Sequence, residues 1–386
     1  MNILFIYSRD IELNDSGGAR TLIQLINFLS QKPDVKCYCL FRIEGIELPN
    51  VYFIPQVGNL EKQIHDCILN YGINILMTPE AVLLGEVASR AASGTNCKTV
   101  TALHNMPGYE KIGLHRLIIE SLLFNVSYLK RIRALVILLI FPLFKIYYEW
   151  SQKRLFRNAY NHNDIVVLLS DKFYDSFVKE YNIADGEKKL RAVGNGLSFD
   201  YFAPEEVIDS KRKQILVVSR FDERQKRISK AIKLWANMYK AFPDWKLVLV
   251  GFGRSEYYYK YLVKKLKVQN VIFTGKQAPK QYYIDSPIFL MTSDYEGWGM
   301  TITEAQQCGC VPVALNTYAS LSDLITDGVD GYIVNSVNEM QKIVANLISD
   351  ETRRKKNAIN GVISSKRFMP ANIYNEYYNI FKGITD

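Results

Sequence analysis

Short, continuously apolar runs recur along this chain, each followed by a stretch with helical spacing, and the series starts twice. In the first half NILFIY (Asn2 to Tyr7), VKCYCLF, VYFIP, INILMT, KTVTAL and DIVVLL (Asp164 to Leu169) read as strands. Helical patterns follow Asn59 and Val82, and Ser170 is placed to cap the run DKFYDSFVKEY. The series breaks at Asn195 to Lys213, rich in turn formers and charges, and restarts with ILVVS, KLVLVG, VIFTG, IFLMTS, VPVAL and GYIV. Strands apolar throughout, rather than at every second residue, belong to parallel sheets with helices on both faces. The expected fold class is therefore α/β, with two tandem doubly wound Rossmann-like domains facing across a cleft. Ligands of such sheets bind at the carboxyl ends of the strands.

A chain of 386 residues has room for both domains. The expected boundaries are 1–195, 196–367 and a terminal segment 368–386, whose aromatic spacing reads as a helix. With 48% hydrophobic and 23% charged residues, the composition is that of a globular protein and excludes a disordered or fibrous one. Six cysteines and four histidines show no Cys-x-x-Cys spacing, so no metal site is expected. MNILFIYSRD turns polar within its first eight residues, unlike a secretory signal, and free thiols in a reducing cytoplasm are expected.

The net charge of +9 is concentrated in one place: residues 111–157 hold nine basic against two acidic side chains, or +7. That window contains the uncharged run ALVILLIFPLF (Ala134 to Phe144), closed by Pro142 and Lys145. Eleven residues fall short of the roughly 20 needed to span a bilayer. A basic, aromatic-flanked apolar segment suits a helix lying on an anionic lipid surface. Burial within the first domain, with a solvated basic rim, is the plainer reading. Nucleic acid is not expected, because the basic residues flank aliphatics and no stacking platform appears.

EGWGMTITE places Glu296 and Glu304 eight residues apart across a Gly-Trp-Gly turn, after a strand and at the start of a helix. Glu304 is expected in the first helical turn, with the amides of Gly299, Met300 and Thr301 at the helix N-terminus. Helix-end amides attract phosphate, and a carboxylate accepts from paired sugar hydroxyls; together they describe a nucleotide sugar. A capping glutamate on an ordinary connection is the plainer reading. In VVSRFDERQKR, Arg220 and Lys226 flank a polar loop at the carboxyl edge of the second sheet, where two cations can neutralise a diphosphate. Gly17 and Gly18 let backbone approach a ligand, and His104 ends a strand at the open edge of the first sheet. Gly251 and Gly253 hold the matching edge of the second. No Asp-x-Asp occurs, so a divalent-metal donor site has little support.

In these features the chain resembles the retaining family-four glycosyltransferases, which have the GT-B fold. The resemblance is best from about Leu190 to Val334. It rests on the E-x7-E pair Glu296 and Glu304, on Arg220 and Lys226, and on GNGLSFDYFAP (Gly194 to Pro204) leading into the interdomain linker. It implies that Arg220 and Lys226 hold the donor diphosphate, that Glu304 binds the ribose, and that Glu296 faces the transferred sugar beside Gly299, Met300 and Thr301. Backbone at Gly275, Lys276 and Gln277 would receive the base. Gly17 and Gly18 would approach the diphosphate, His104 would sit beside the sugar, and the terminal helix would return to the first domain. No cofactor is implied beyond the donor itself, with uridine diphosphate favoured over guanosine diphosphate by family frequency.

The expectation is a metal-independent hexosyltransferase, peripheral on the inner face of the cytoplasmic membrane. Its acceptor would be a lipid-linked glycan or lipopolysaccharide-like intermediate of surface polysaccharide biosynthesis. A nucleotide-sugar epimerase of the same fold, or a non-catalytic peripheral membrane scaffold, is the alternative.

Overall fold

The computed structural model describes residues 1–12, 17–44, 48–124, 127–184 and 186–385. Two positions of the 111–157 window, 125 and 126, lie outside them. The chain divides into two compact units. One comprises Met1–Gly108, Trp150–Gly196 and Phe368–Asp386, and the other Tyr109–Glu149 and Leu197–Arg367.

The first unit is built on seven parallel strands: β1 (Asn2–Phe5), β2 (Lys36–Cys39), β3 (Val51–Phe53), β4 (Ile75–Thr78), β5 (Lys98–Ala102), β6 (Ile165–Leu168) and β7 (Leu190–Ala192). Their spatial order is β3-β2-β1-β4-β5-β6-β7. The second unit has six: β8 (Gln214–Val218), β9 (Lys246–Val250), β10 (Val271–Gly275), β11 (Ile288–Met291), β12 (Val311–Leu315) and β13 (Tyr332–Val334). These are ordered β10-β9-β8-β11-β12-β13, again all parallel. Both units thus carry the 3-2-1-4-5-6 order of a doubly wound Rossmann sheet.

Every residue of β4, β6, β11 and β12 is buried, which is why these segments read as apolar without alternation. The sequence reading missed β7, a three-residue edge strand in which Arg191 is exposed. Its apolar content is too low to stand out, and pairing with β6 is what makes it a strand. All six cysteines are free and buried.

Helix α1 (Gly17–Ser30) begins at the glycine pair and buries Leu22, Leu25, Ile26 and Leu29, a single stripe at helical spacing. Residues 109–149, expected within the first domain, cluster instead with the second unit. They form α2 (Leu114–Phe124), α3 (Tyr128–Leu139) and the start of α4 (Phe141–His162). Leu114, Ile118 and Ala134 make a small core between α2 and α3, with Ile137, Leu138 and Phe141 around it. α3 ends at Leu139, just before Pro142. Pro142 sits in the first turn of α4, where a missing amide proton leaves no helical bond unmade.

The second unit adds α5 (Ile228–Ala236), α6 (Glu256–Leu266) and α7 (Met300–Gln307). Its core centres on Trp235 of α5, fully buried, whose indole donates to the Gln269 carbonyl at 3.0 Å. Full burial of such a side chain contributes about 2–3 kcal/mol. The terminal helix α8 (Pro370–Thr385) belongs to the first unit, with proline at its first position. Tyr374 on α8 donates to Gln24 of α1 at 2.8 Å, and Lys382 pairs with Asp34 at 2.5 Å.

Candidate active site

The strand order of the second unit decides which loops meet. The sheet reverses direction between β8 and β11, which pair through Ile215 with Ile288 and Leu216 with Phe289. Loops leaving the carboxyl ends of two such neighbours diverge, and the opening between them is the usual ligand position in an open α/β sheet. The loop after β8 carries Arg220 and Lys226; the loop after β11 carries Glu296. Lys226 and Glu296 meet there, Nζ to Oε1, at 2.5 Å.

Two further groups fix the Glu296 carboxylate. Ser293 Oγ donates to Oε1 at 2.7 Å, and Gln225 Nε2 donates to Oε2 at 3.3 Å while also reaching the Tyr295 carbonyl. Both members of the ion pair are largely buried, with side-chain exposures of 20% for Lys226 and 10% for Glu296. With Ser219 and Thr301 they line one small recess. Arg220 stays at the rim. Its guanidinium is mostly exposed, donates to Gln225 Oε1 at 3.1 Å and lies 3.5 Å from Asp222.

The turn before α7 requires glycine. Gly299 has φ of +98°, and a Cβ there would lie 2.6 Å from the Tyr318 hydroxyl oxygen. The helix starts at once with Met300 and Thr301 and has no side-chain cap at its N-terminus. Glu304 therefore lies one turn further in than the expected first turn. It is buried, and its Oε2 accepts from the Tyr283 hydroxyl at 3.0 Å. Burial, followed by the Glu304 charge, pushes the Tyr283 phenol well above its ordinary pKa, so it remains a donor. At the other end of α7 the buried Lys211 ammonium donates to the Cys308, Ile284 and Tyr283 carbonyls at 2.7–3.1 Å, which anchors the helix.

Gly251 and Gly253 are places of close approach. A Cβ at Gly251 would stand 1.9 Å from the Ser219 carbonyl oxygen, and one at Gly253 would stand 2.5 Å from that of Phe221. Their bare backbone supports the loop that carries Arg220. Gly275 ends β10 and accepts from the Gly251 amide at 3.0 Å; Lys276 lies over the Phe252 ring, and Gln277 follows.

In the first unit, Gly18 at the start of α1 packs against the His104 ring, with 3.5 Å between a Cβ there and His104 Cδ2. Both ring nitrogens of His104 are buried without a hydrogen-bond partner among the described residues. Burial pulls its pKa down to about 4, so the imidazole is neutral.

What the sequence did not show is how residues 109–149 engage these loops. Arg224, two residues before Lys226, donates to the carbonyls of Glu110 at 2.7 Å and Ile112 at 3.0 Å. Asp294, two residues before Glu296, pairs with Arg116 of α2, with Lys230 at 2.6 Å and with Arg227 at 3.6 Å. Ser255 donates to Glu120. No spacing rule flags Arg116 or Asp294, because their partners lie far off in the chain.

Residues 199–361 match the family model described as glycosyl transferases group 1. This part of the chain is similar to the group 1 glycosyl transferases. It contains Arg220, Lys226, Glu296 and Glu304 together with the whole sheet that positions them. The chain also resembles curated relatives. One is an uncharacterised 41.2 kDa protein in the cps region of Klebsiella pneumoniae, 28% identical over 205 residues, 52% of each chain. Another is the amylovoran biosynthesis glycosyltransferase AmsD of Erwinia amylovora, 30% identical over 39% of this chain and 43% of that one. The chain spans about half the length, or less, of these relatives. Among solved structures, Anabaena Alr3699/HepE in complex with UDP superposes with a TM-score of 0.70. The superposition covers 99% of this chain and 100% of that one at 17% identity. The likeness is one of fold, two Rossmann-like domains of the GT-B type.

Proposed function

We propose that this protein is a retaining glycosyltransferase that moves a hexose from a nucleoside diphosphate sugar, with a uridine diphosphate donor favoured, to a glycan or lipid-linked acceptor. The reading rests on the Lys226–Glu296 pair at the reversal point of the second sheet, with Arg220 at the rim and the α7 N-terminus beside it. In the reaction the bond from the anomeric carbon to the β-phosphate oxygen breaks and a bond from that carbon to the acceptor oxygen forms on the same face. The acceptor proton leaves with the phosphate oxygen. Charge grows on the departing diphosphate, where Lys226, Arg220 and the start of α7 stabilise it without need of a metal ion. Glu296 takes the hydroxyls of the transferred sugar, and buried Glu304 those of the ribose. Backbone at Gly275 to Gln277 receives the base.

Polysaccharide biosynthesis is supported by the relatives from a capsule region and from amylovoran synthesis, and the donor by the UDP complex of the fold neighbour. A membrane-associated acceptor is supported by one surface. Leu129, Leu139, Leu143, Ile146 and Tyr147 are 66–78% exposed on α3 and α4, next to the exposed cations Lys130, Arg133 and Lys145. Such a face matches an anionic lipid surface. None of the described helices is long and apolar enough to cross a membrane.

The deciding experiment is a screen of nucleotide sugars by thermal shift and by donor hydrolysis, with Arg220→Ala, Lys226→Ala and Glu296→Ala. One donor should raise the melting temperature of the wild type by mass action, and the variants should lose turnover. Turnover unchanged in all three would reject the transferase reading and leave the scaffold alternative.

A further inference from the structure

A second cavity, of about 830 Å³, lies within the second unit, walled by α2 and α3 on one side and by α6 on the other. Its volume is within the roughly 300–1,000 Å³ range of pockets that enclose small ligands. Arg116, Leu123, Arg131, Arg227, Tyr257 and Tyr261 line it. The lining is mixed in character. Tyr257 and Tyr261, one helical turn apart on α6, are 71% and 49% exposed, and Leu123 is 57% exposed.

The charges around this cavity favour an anion. Arg116, Arg227 and Lys230 share the single carboxylate of Asp294, and Arg131 adds another cation. Both lining carboxylates accept from neighbours, with Glu120 Oε2 left without a donor among the described residues. Glu223 accepts from Ser229 Oγ at 2.5 Å and from Arg227 at 2.8 Å, and Glu120 accepts from Ser255. Burial also raises the Glu120 pKa above the ordinary carboxylate value. Nε of Arg116 is buried with no hydrogen-bond acceptor among the described residues, and Nε of Arg227 faces only the Asp294 carboxylate, at 3.6 Å. A buried guanidinium nitrogen without an acceptor is costly, and a phosphate oxygen supplies one.

The same helices carry an apolar surface. Arg131 sits on α3 among Tyr128, Leu129, Ile132 and Leu135, all 46–78% exposed. Tyrosine and arginine beside exposed leucine is the composition of a membrane interface, where a ring presents an apolar body and a polar tip. We propose that this cavity receives the phosphate end of a lipid-linked acceptor while its hydrocarbon chain lies along α3. The proposal rests on the transferase reading above. It places the acceptor phosphate against Arg116, Arg131 and Arg227, the last of these next to Lys226 in the chain.

The test uses the full chain and calorimetric titration with octyl phosphate below its micelle concentration. Octyl glucoside and inorganic phosphate serve as comparison ligands, and UDP-induced melting shift as a separate readout. Octyl phosphate should bind saturably and about tenfold tighter than either comparison ligand, and Arg131→Ala and Tyr261→Ala should each weaken it about tenfold. Their melting temperature and UDP shift should match the wild type. Equal binding of octyl glucoside would make this a sugar or apolar pocket, and equal binding of inorganic phosphate a free-anion site. Either result, or unchanged affinity in both variants, overturns the proposal. Loss of any UDP response in wild type, with octyl phosphate still bound, would strike the donor reading instead.

Discussion

Lys226 and Glu296 stand 70 residues apart in the chain and 2.5 Å apart in space. The pair neutralises two charges that the fold holds away from water, and an entering diphosphate has to draw Lys226 toward itself. Breaking the pair from either side should therefore affect turnover and stability differently. Lys226→Ala should lower turnover by on the order of a hundredfold or more, the loss typical of one preorganised transition-state group. Glu296→Gln keeps the shape but leaves the ammonium without its counter-charge. It should destabilise the unit by about 2 kcal/mol in urea unfolding and still bind nucleotide diphosphate.

His104 sets an acid limit on the first unit. Its folded pKa of about 4 lies below the ordinary value of 6.5, so the unfolded chain takes up the proton first as pH falls. The stabilisation is complete above pH 6.5 and is lost as pH falls toward 4, by roughly 3 kcal/mol over that window. Urea unfolding at several pH values should show this slope in the wild type, and His104→Gln should flatten it.

Asp294 holds α2 to the loop after β11 through Arg116. Asp294→Asn leaves three cations sharing a neutral amide and should cost about 2 kcal/mol. Limited proteolysis should then cut faster within residues 109–149, while Lys213→Ala, which removes an exposed ion pair with Asp244, should leave the cutting rate unchanged.

Gly251 tolerates no side chain. Gly251→Ala combines φ of +143° with a Cβ 1.9 Å from the Ser219 carbonyl. It should destabilise by about 3 kcal/mol or more and weaken nucleotide binding by displacing the Arg220 loop, which melting curves with and without UDP would reveal.

The α3–α4 face should sediment with vesicles containing anionic lipid. Lys130→Glu with Arg133→Glu should abolish most of the binding, and raising the salt should weaken it in the wild type. Leu139→Asp should reduce it as well, since that side chain is 77% exposed and would enter the lipid. Sedimentation unaffected by all three changes would remove the membrane from the proposed function.

Local chemistry wrote much of this protein openly. A strand buried on both faces must be apolar along its length, so β4, β6, β11 and β12 could be read directly, and with them two parallel α/β units. Residues whose roles depend on near neighbours, such as Gly299 before α7 or Ser170 as a cap, were legible for the same reason. Strand order was not. It alone makes β8 and β11 neighbours, and so turns Lys226 and Glu296 from two charged loop residues into a pair. Nor could the sequence assign residues 109–149 to the second unit, because that depends on Arg224 meeting two backbone carbonyls and Arg116 meeting Asp294. Carbonyls are present at every position and carry no sequence mark. Short-range preferences fix which segments form; long-range contacts, chosen by the packing of whole sheets and helices, decide which side chains share a site.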